Sequence, residues 1–475
     1  MSKHDVYALV QPILDEMEML YLHDSRPWIV GFSGGKDSST VCQLVFWMLE
    51  RLPESQRSKP VYVVSSDTLV ENPIIIDYLN EISHHMGVSA KQKKLNLTTH
   101  IVKPRVEDTF WSLVIGLGYP TPEPPGFRWC TDRLKIEPSN RFIREKIKND
   151  GEVVILLGVR KSESVARAQR IEKREIDGKI LNRHEVIDGA YVYNPITELS
   201  TDEIWNILLL SDEGQSPWGT DNRYLYSLYK SSDGGECPFT LAAKEELKDV
   251  PTCGNSRFGC WSCTMVKEDK SLKGFIESGE TWLRPLHEFR SWLLSNRNNH
   301  DFRDSKRRNG TIYKRSDGSF GYGPFTLEAR RIILEKLLIT EKTLRHSLQD
   351  DSYELITLEE LKKIDEIWDN EGDLTRRLLV DTYFEVYGVR LPWDHYKKPL
   401  FEERVLNLME ATFDSSLDPD EKKVPYELVK KLVLSVNRNK HYTHRPAIKQ
   451  NFDRILNETW LHYEEMMEGL RNEDQ

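Results

Sequence analysis

Along the first 210 residues the apolar positions switch between helical and strand spacing. Over residues 4–22, Val6, Leu9, Val10, Ile13, Leu14, Met17 and Leu20 recur at helical intervals and predict an amphipathic helix. A short apolar run from Trp28 stops at Ser33-Gly34-Gly35-Lys36-Asp37-Ser38. Helix-period positions then resume through Val41, Leu44, Val45, Met48 and Leu49, so strand, tight turn and helix follow in order. Residues 61–64 form a β-branched run of buried-strand type ending at Ser65-Ser66-Asp67-Thr68, and Asn72-Pro73 opens a helix to about Met86. Residues 105–117 read as a further helix, broken by four prolines in 119–126, and Pro138 opens another. Residues 153–159 are the next buried strand, 191–196 a further short one, and Ser200-Thr201-Asp202-Glu203 caps a helix to Leu210. Strand and helix alternate, which predicts an α/β fold with a parallel sheet whose ligand crevice lies beyond the carboxyl ends of the strands.

Residues 213–275 break this alternation, and from Thr326 the chain reads as mainly α-helical, with a capping box at Thr357 and Glu360 and a buried stripe of Leu327, Ile332, Ile333, Leu337 and Leu338. At 475 residues and 39% hydrophobic the chain has material for two or three cores. No window is apolar enough for a membrane span, and the N-terminus lacks a signal pattern, so a cytoplasmic protein without a membrane partner is expected. The net charge of −10 speaks against nonspecific coating of nucleic acid, but not against a local basic groove. Such a tract runs over residues 284–315, where seven Arg and two Lys face three acids, with His287, Trp292, His300, Phe302 and Tyr313 interleaved. Guanidinium forks and aromatic rings are what binds a nucleic-acid backbone and its exposed bases. Residues 132–148, with six basic side chains against three acidic ones, read either as a solvated helix face or as a phosphate-reading rim. A second basic patch lies at 437–449.

The chemistry concentrates at three places. The SGGKDS turn is a phosphate cradle: Gly34 and Gly35 let the backbone approach an anion, the helix N-terminus presents N–H groups, and Lys36, Ser33 and Ser38 add charge and donors. It is not the GxxxxGK[ST] loop, because only one glycine pair precedes the lysine. Asp67, Thr68 and Glu71 after the second strand, and Arg160 after 153–159, are delivered to the same crevice, with Glu163 and Arg167 on the turn that follows. Cys237, Cys253, Cys260 and Cys263 crowd into 27 residues as C-x15-C-x6-C-x2-C, a four-thiolate set suited to zinc or to an iron–sulfur cluster. Of the other two cysteines, Cys42 reads as core packing. Cys130 sits in an arginine-rich loop of the kind that favours a thiolate, and reads either as a structural or phosphate-adjacent residue or as a carrier of persulfide sulfur.

SGGKDS resembles the pyrophosphate loop of ATP pyrophosphatases of the adenine nucleotide α-hydrolase class. The succession SGGKDS, Asp67-Thr68, CTDRLK (130–135), GVRKSES (158–164) with Arg167, and NPITELSTDEIW (194–205) resembles the phosphoadenosine phosphosulfate (PAPS) reductase family over about residues 25–212. The resemblance implies a HUP-type Rossmann-like parallel sheet with helices on both faces. It also implies ATP or an adenylyl sulfate held by Ser33, Gly34, Gly35, Lys36, Asp37 and Ser38, with Arg160 reaching phosphate. The reductases' C-terminal catalytic-cysteine tail is missing, which argues against reduction of an adenylyl sulfate. The whole layout resembles the DndC-type sulfurtransferases of bacterial DNA phosphorothioation, which implies that the four cysteines hold a [4Fe-4S] cluster. It further implies DNA as substrate, and a cysteine desulfurase and other phosphorothioation proteins as partners. The expected domains are an ATP pyrophosphatase domain at 1–212, a cysteine-rich and basic segment at 213–325 and a helical domain at 326–475. The expected site comprises Lys36, Asp37, Arg160 and Cys130 as catalytic residues, with Asp37 and Asp67 as Mg²⁺ ligands. Three other functions fit the same motifs: a tRNA thiolation enzyme, an adenylyl sulfate reductase, and an ATP-gated DNA-binding scaffold.

Overall fold

β-branched runs become strands here because Val, Ile and Thr pack well on a pleated surface covered from both sides. The computed structural model of the chain describes residues 3–124, 128–163, 169, 180–232, 259–314, 320–414, 423–439 and 445–457. Two compact units emerge, Met1–Arg105 with Gly126–Leu283, and Val106–Pro125 with Arg284–Gln475. In the first, α1 (Lys3–His23) precedes β1 (Trp28–Gly31), α2 (Lys36–Arg51), β2 (Val61–Ser66), α3 (Pro73–Gln92), β3 (Leu97–Val102), α4 (Glu137–Asp150) and β4 (Val153–Leu156). The two-residue β5 (Asn182–Arg183), β6 (Ala190–Tyr193), α5 (Thr201–Leu210), α6 (Asn222–Ser232) and α7 (Lys270–Glu277) follow.

The sheet runs β3-β2-β1-β4-β6-β5, parallel throughout except for β5 against β6. After β1 the chain winds outward to β2 and β3, then returns to place β4 on the other side of β1. That reversal makes the β1/β4 boundary the switch point, where a crevice opens beyond the strand ends. The register aligns Ile29 with Tyr62 and Ile155, and this face, with Val64 and Val153, packs on Phe142, Ile143 and Ile147 of α4. The alternate face carries Trp28, whose ring meets Tyr21 of α1 edge-on at 5.3 Å, and α1, α2 and α5 pack together. Helices therefore cover both faces, as the alternating pattern predicts. Two strands escape the sequence pattern. β3 is a half-covered edge in which Thr98, Thr99 and His100 dilute the apolar signal, and β5 is too short to produce one.

The second unit contains α8 (Arg284–Asn296), the β7 (Tyr313–Lys314)–β8 (Phe320–Gly321) hairpin, α9 (Leu327–Leu348), α10 (Leu358–Glu371), α11 (Leu378–Tyr387), α12 (Glu403–Asp414), α13 (Lys423–Asn439) and α14 (Arg445–Leu456). Thr326 caps α9, and the Thr357–Glu360 capping box closes on α10. Ile333, Leu334, Leu337 and Leu338 form the buried stripe, while Leu327 and Ile332 are half-covered. Residues 105–117 are not one helix: a 3-10 turn (Val106–Asp108) and a π turn (Ser112–Gly116) fold into this unit. Its interior accounts for the break. The Trp111 indole N–H donates to the Leu355 carbonyl and that of Trp368 to the Ile115 carbonyl, each at 2.8 Å. None of the described helices is long and apolar enough to cross a membrane.

One buried carboxyl gives this unit a pH signature. Asp365 is 2% exposed and accepts from the Trp393 indole at 2.8 Å and the Lys397 ammonium at 2.6 Å. Burial pushes its carboxyl up to about 6, with Lys397 and Trp393 pulling the other way. A carboxyl raised in the folded state stabilises fully below its unfolded value and loses that contribution as pH rises through about 6. In paired urea unfolding, the stability of wild type relative to Asp365→Asn should therefore be greatest near pH 4 and shrink toward pH 7.

Candidate functional site

The SGGKDS turn leaves β1 and enters α2 with Gly34 at φ +73°, a conformation that strains any residue bearing a Cβ. The Ser38 hydroxyl closes the turn, accepting from the Ser33 N–H at 3.2 Å and donating to the Gly35 carbonyl at 2.9 Å. Asp37, in the first turn of α2, lies between two cations. Its Oδ2 is 2.9 Å from the Lys36 ammonium, and its Oδ1 accepts from Arg160 Nε at 2.7 Å. Arg160 is 1% exposed, and its guanidinium also donates to the Ser162 hydroxyl (2.8 Å), the Thr201 hydroxyl (3.2 Å) and the Leu199 carbonyl (3.3 Å). It thus ties the exit of β4 and the cap of α5 to the turn, with its visible bonds directed to Asp37 and the cap rather than outward. Gly158 allows this approach: a Cβ there would stand 2.8 Å from the Asp37 carbonyl carbon.

On the neighbouring strand, Asp67 is buried, accepts from the Leu69 N–H at 2.8 Å and pairs with Lys103 at 3.3 Å. Over the next four residues the chain meets the cysteine segment. Glu71 forms an antiparallel bridge with Cys260, the Trp261 N–H donates to the Val70 carbonyl at 3.0 Å, and the Thr68 hydroxyl lies 3.5 Å from Cys260 Sγ. The Cys263 N–H returns to the Cys260 carbonyl at 3.0 Å, so both thiols stand on one short turn. Burial and the Glu71 carboxylate push the Cys260 thiol well above its ordinary range, opposed by Lys135 and Thr68. Cys237 and Cys253 lie outside the described residues, as does Arg167, and among the described residues no three His, Cys, Asp or Glu side chains gather as a metal set. Cys42 is buried in α2, and burial raises its thiol strongly, in keeping with core packing. Cys130 is half-buried at the head of the π turn Thr131–Ile136. Lys135 of that turn pairs with Glu71 at 3.0 Å.

Tyr229 is a site residue the sequence pattern did not single out. Its hydroxyl accepts from the Lys36 N–H at 3.2 Å, its ring lies 5.6 Å from the Lys36 ammonium, and Trp205 supports it edge-on at 5.2 Å. The available signal was the helical spacing of Leu225, Leu228 and Tyr229, all buried, inside a stretch dominated by polar residues. Much of the arginine tract is occupied within the second unit. Arg290 is 1% exposed, Arg303 donates to the carbonyls of Gly323 and Arg297 (2.7 Å each), Arg297 pairs with Glu123 (2.9 Å), and Arg308 pairs with Glu371. Arg284, Arg307 and Arg308 are its exposed arginines among the described residues.

A doubly wound parallel sheet with a glycine–serine turn at its switch point is the architecture of a nucleotide-binding α/β protein. More narrowly, the chain belongs to the phosphoadenosine phosphosulfate reductase domain family, which it matches over residues 27–265. That family is made up of enzymes acting on adenine nucleotides and sulfur. The chain is 29% identical over 267 residues to an uncharacterized protein of Methanocaldococcus jannaschii, a match spanning 56% of this chain and 42% of that protein, less than half its length. Among solved structures, the phosphate complex of a Candida auris PAPS reductase is 15% identical, with 48% of this chain and 85% of that one covered and a TM-score of 0.27. The U34-tRNA thiolase of Methanococcus maripaludis with its [4Fe-4S] cluster is 12% identical, with coverages of 50% and 86% and a TM-score of 0.27.

Removing Arg160 leaves a half-buried Asp37 with one of its two cations and strands the cap acceptors. Arg160→Met should therefore cost about 3–5 kcal/mol in urea unfolding, more than an exposed arginine such as Arg284→Met, which should cost under about 0.5 kcal/mol.

Proposed function

We propose that the chain is an ATP-dependent sulfurtransferase of DNA phosphorothioate modification. The observation that carries this reading is the shared turn at residues 67–71: it exits the strand next to the SGGKDS loop and is bridged directly to Cys260. One end of the site is built for a nucleotide, the other presents a pair of thiols.

ATP lies with its β and γ phosphates against the SGGKDS turn, where the α2 N–H groups and Lys36 balance the charge that builds up on departing pyrophosphate. Asp37, which accepts from Arg160, and Asp67 are the carboxylates that would hold Mg²⁺. A non-bridging oxygen of a DNA phosphodiester attacks the α phosphorus; the new P–O bond forms as the bond to pyrophosphate breaks, which leaves the backbone adenylylated. That step is needed because oxide is a poor leaving group and AMP a good one. A sulfur nucleophile then forms a P–S bond as AMP departs with its electron pair. Where the sulfur arrives as a persulfide from a cysteine desulfurase, a second thiol cleaves the S–S bond, leaves as a disulfide, and the phosphorothioate keeps the terminal sulfur. Cys130, one π turn from Lys135, is the candidate carrier, and DNA, the desulfurase and further modification proteins are the partners this chemistry requires.

Cys260 and Cys263, with Cys237 and Cys253, are the residues to hold a [4Fe-4S] cluster. Two observations in the described turn fit such a group. Both thiols project from one tight loop, and Ser262 between them is fully buried with a hydroxyl that has no partner among the described residues. When bound, the cluster supplies sulfur and electron chemistry beside the nucleotide end.

Purified protein should release pyrophosphate from ATP in the presence of DNA, and Lys36→Ala, folded normally by circular dichroism, should lower that rate by at least about 100-fold. Nuclease digests of co-expressed DNA should contain sulfur-bearing dinucleotides that the variant lacks. Labelled sulfur in tRNA instead of DNA would replace this reading with tRNA thiolation, and sulfite release with adenylyl sulfate reduction. Binding of ATP and DNA without pyrophosphate would leave a scaffold.

A further inference from the structure

Thr68 stands at the point where the nucleotide end and the thiol end of the site meet. It is 0% exposed, so its hydroxyl must be satisfied inside the protein. Two partners are in reach: Glu71 Oε1 at 3.1 Å and Cys260 Sγ at 3.5 Å. The backbone around them is closely determined. Leu69 adopts φ +65°, an unusual conformation for leucine, and its N–H is held by the Asp67 carboxylate at 2.8 Å. On the far side, the Glu71–Cys260 bridge and the bond from Trp261 to Val70 fix the Cys260 backbone.

We infer that Thr68 is a positioning residue for the Cys260 sulfur, its hydroxyl being the hydrogen-bond donor to that sulfur when it is a metal-bound thiolate. A hydroxyl carries one proton and can also accept. A Cys260 thiol can give its proton to Thr68, which in turn donates to Glu71. A ligated sulfur has no proton to give, so the donor in that pair becomes Thr68. Glu71 can release the Thr68 proton because its Oε1 keeps the Lys135 ammonium at 3.0 Å. Donors to ligating atoms hold the ligand in one orientation and moderate its charge. Because Thr68 sits between Asp67 and Leu69, its backbone is held by the same Asp67 carboxylate that accepts from the Leu69 N–H. The inference rests on the reading that Cys260 holds the cluster.

The test uses the full chain, isolated without air, as wild type, Thr68→Val and Thr68→Ser, with iron and labile sulfide quantified before each measurement. Iron release to a ferrous chelator should be about ten-fold faster in Thr68→Val, its sulfur-to-iron charge-transfer band should shift, and Thr68→Ser should match wild type in both. Thr68→Ala, which removes the hydroxyl without adding a second methyl, gives the same expected result should the valine variant fail to fold. An iron-loaded valine or alanine variant with wild-type release and spectrum overturns the role of Thr68 and leaves the cluster reading standing. Wild type isolated free of iron and sulfide overturns the cluster reading, and this inference with it.

Discussion

The ion pair between Arg160 and Asp37 is the constraint on which the rest of the site depends. A guanidinium taken almost wholly out of water is tolerable only with its donors matched and its charge paired, and the protein meets that demand with residues from three separate segments. The exit of β4 supplies the arginine, the start of α2 the carboxylate, and the cap of α5 a carbonyl and a hydroxyl. The shape of the glycine–serine turn is therefore a property of the folded sheet as well as of its six residues. Gly158 is part of the same arrangement, because only a residue without a Cβ lets β4 pass so close to the Asp37 backbone.

A second polar layer repeats this economy one strand away. Asp67 holds Leu69 in a left-handed turn, Glu71 takes both Thr68 and Lys135, and the Cys260 backbone is joined to the turn by a single antiparallel bridge. Buried polar groups of this kind are rigid when all are satisfied, because in a weakly polarisable interior each lost partner is costly. The chemistry proposed here needs that rigidity: a nucleotide and a sulfur must meet at one phosphorus, and catalytic groups misplaced by an ångström lose much of their effect.

The second unit uses its charges differently. Several arginines of the basic tract staple loops to carbonyls and carboxylates, as Arg303 does with Gly323 and Arg308 with Glu371. Guanidinium is suited to either task, since its planar fork satisfies several backbone acceptors as readily as it grips an anion. A run of basic residues thus states a capacity, and the local supply of acceptors decides how it is spent.

Legibility from sequence followed the range of the interaction. The β1–turn–α2 cradle, the buried strands, the capping boxes at Ser200 and Thr357 and the Cys260–Cys263 pair are written in residues close together, where backbone propensity and side-chain period act directly. The partners of those residues are not. Arg160 meets Asp37 across 123 positions, Thr68 meets Cys260 across 192 and Tyr229 meets Lys36 across 193, and no local pattern encodes such encounters. The segment Val106–Pro125 shows the same limit, since a stretch with helical spacing was bent into 3-10 and π turns by the second unit's interior. By itself, then, the sequence determined the kind of fold and which residues stand at the turn and in the Cys260–Cys263 pair. Only the tertiary structure decided which of those groups share a buried hydrogen bond, because that depends on which distant surfaces are dry together.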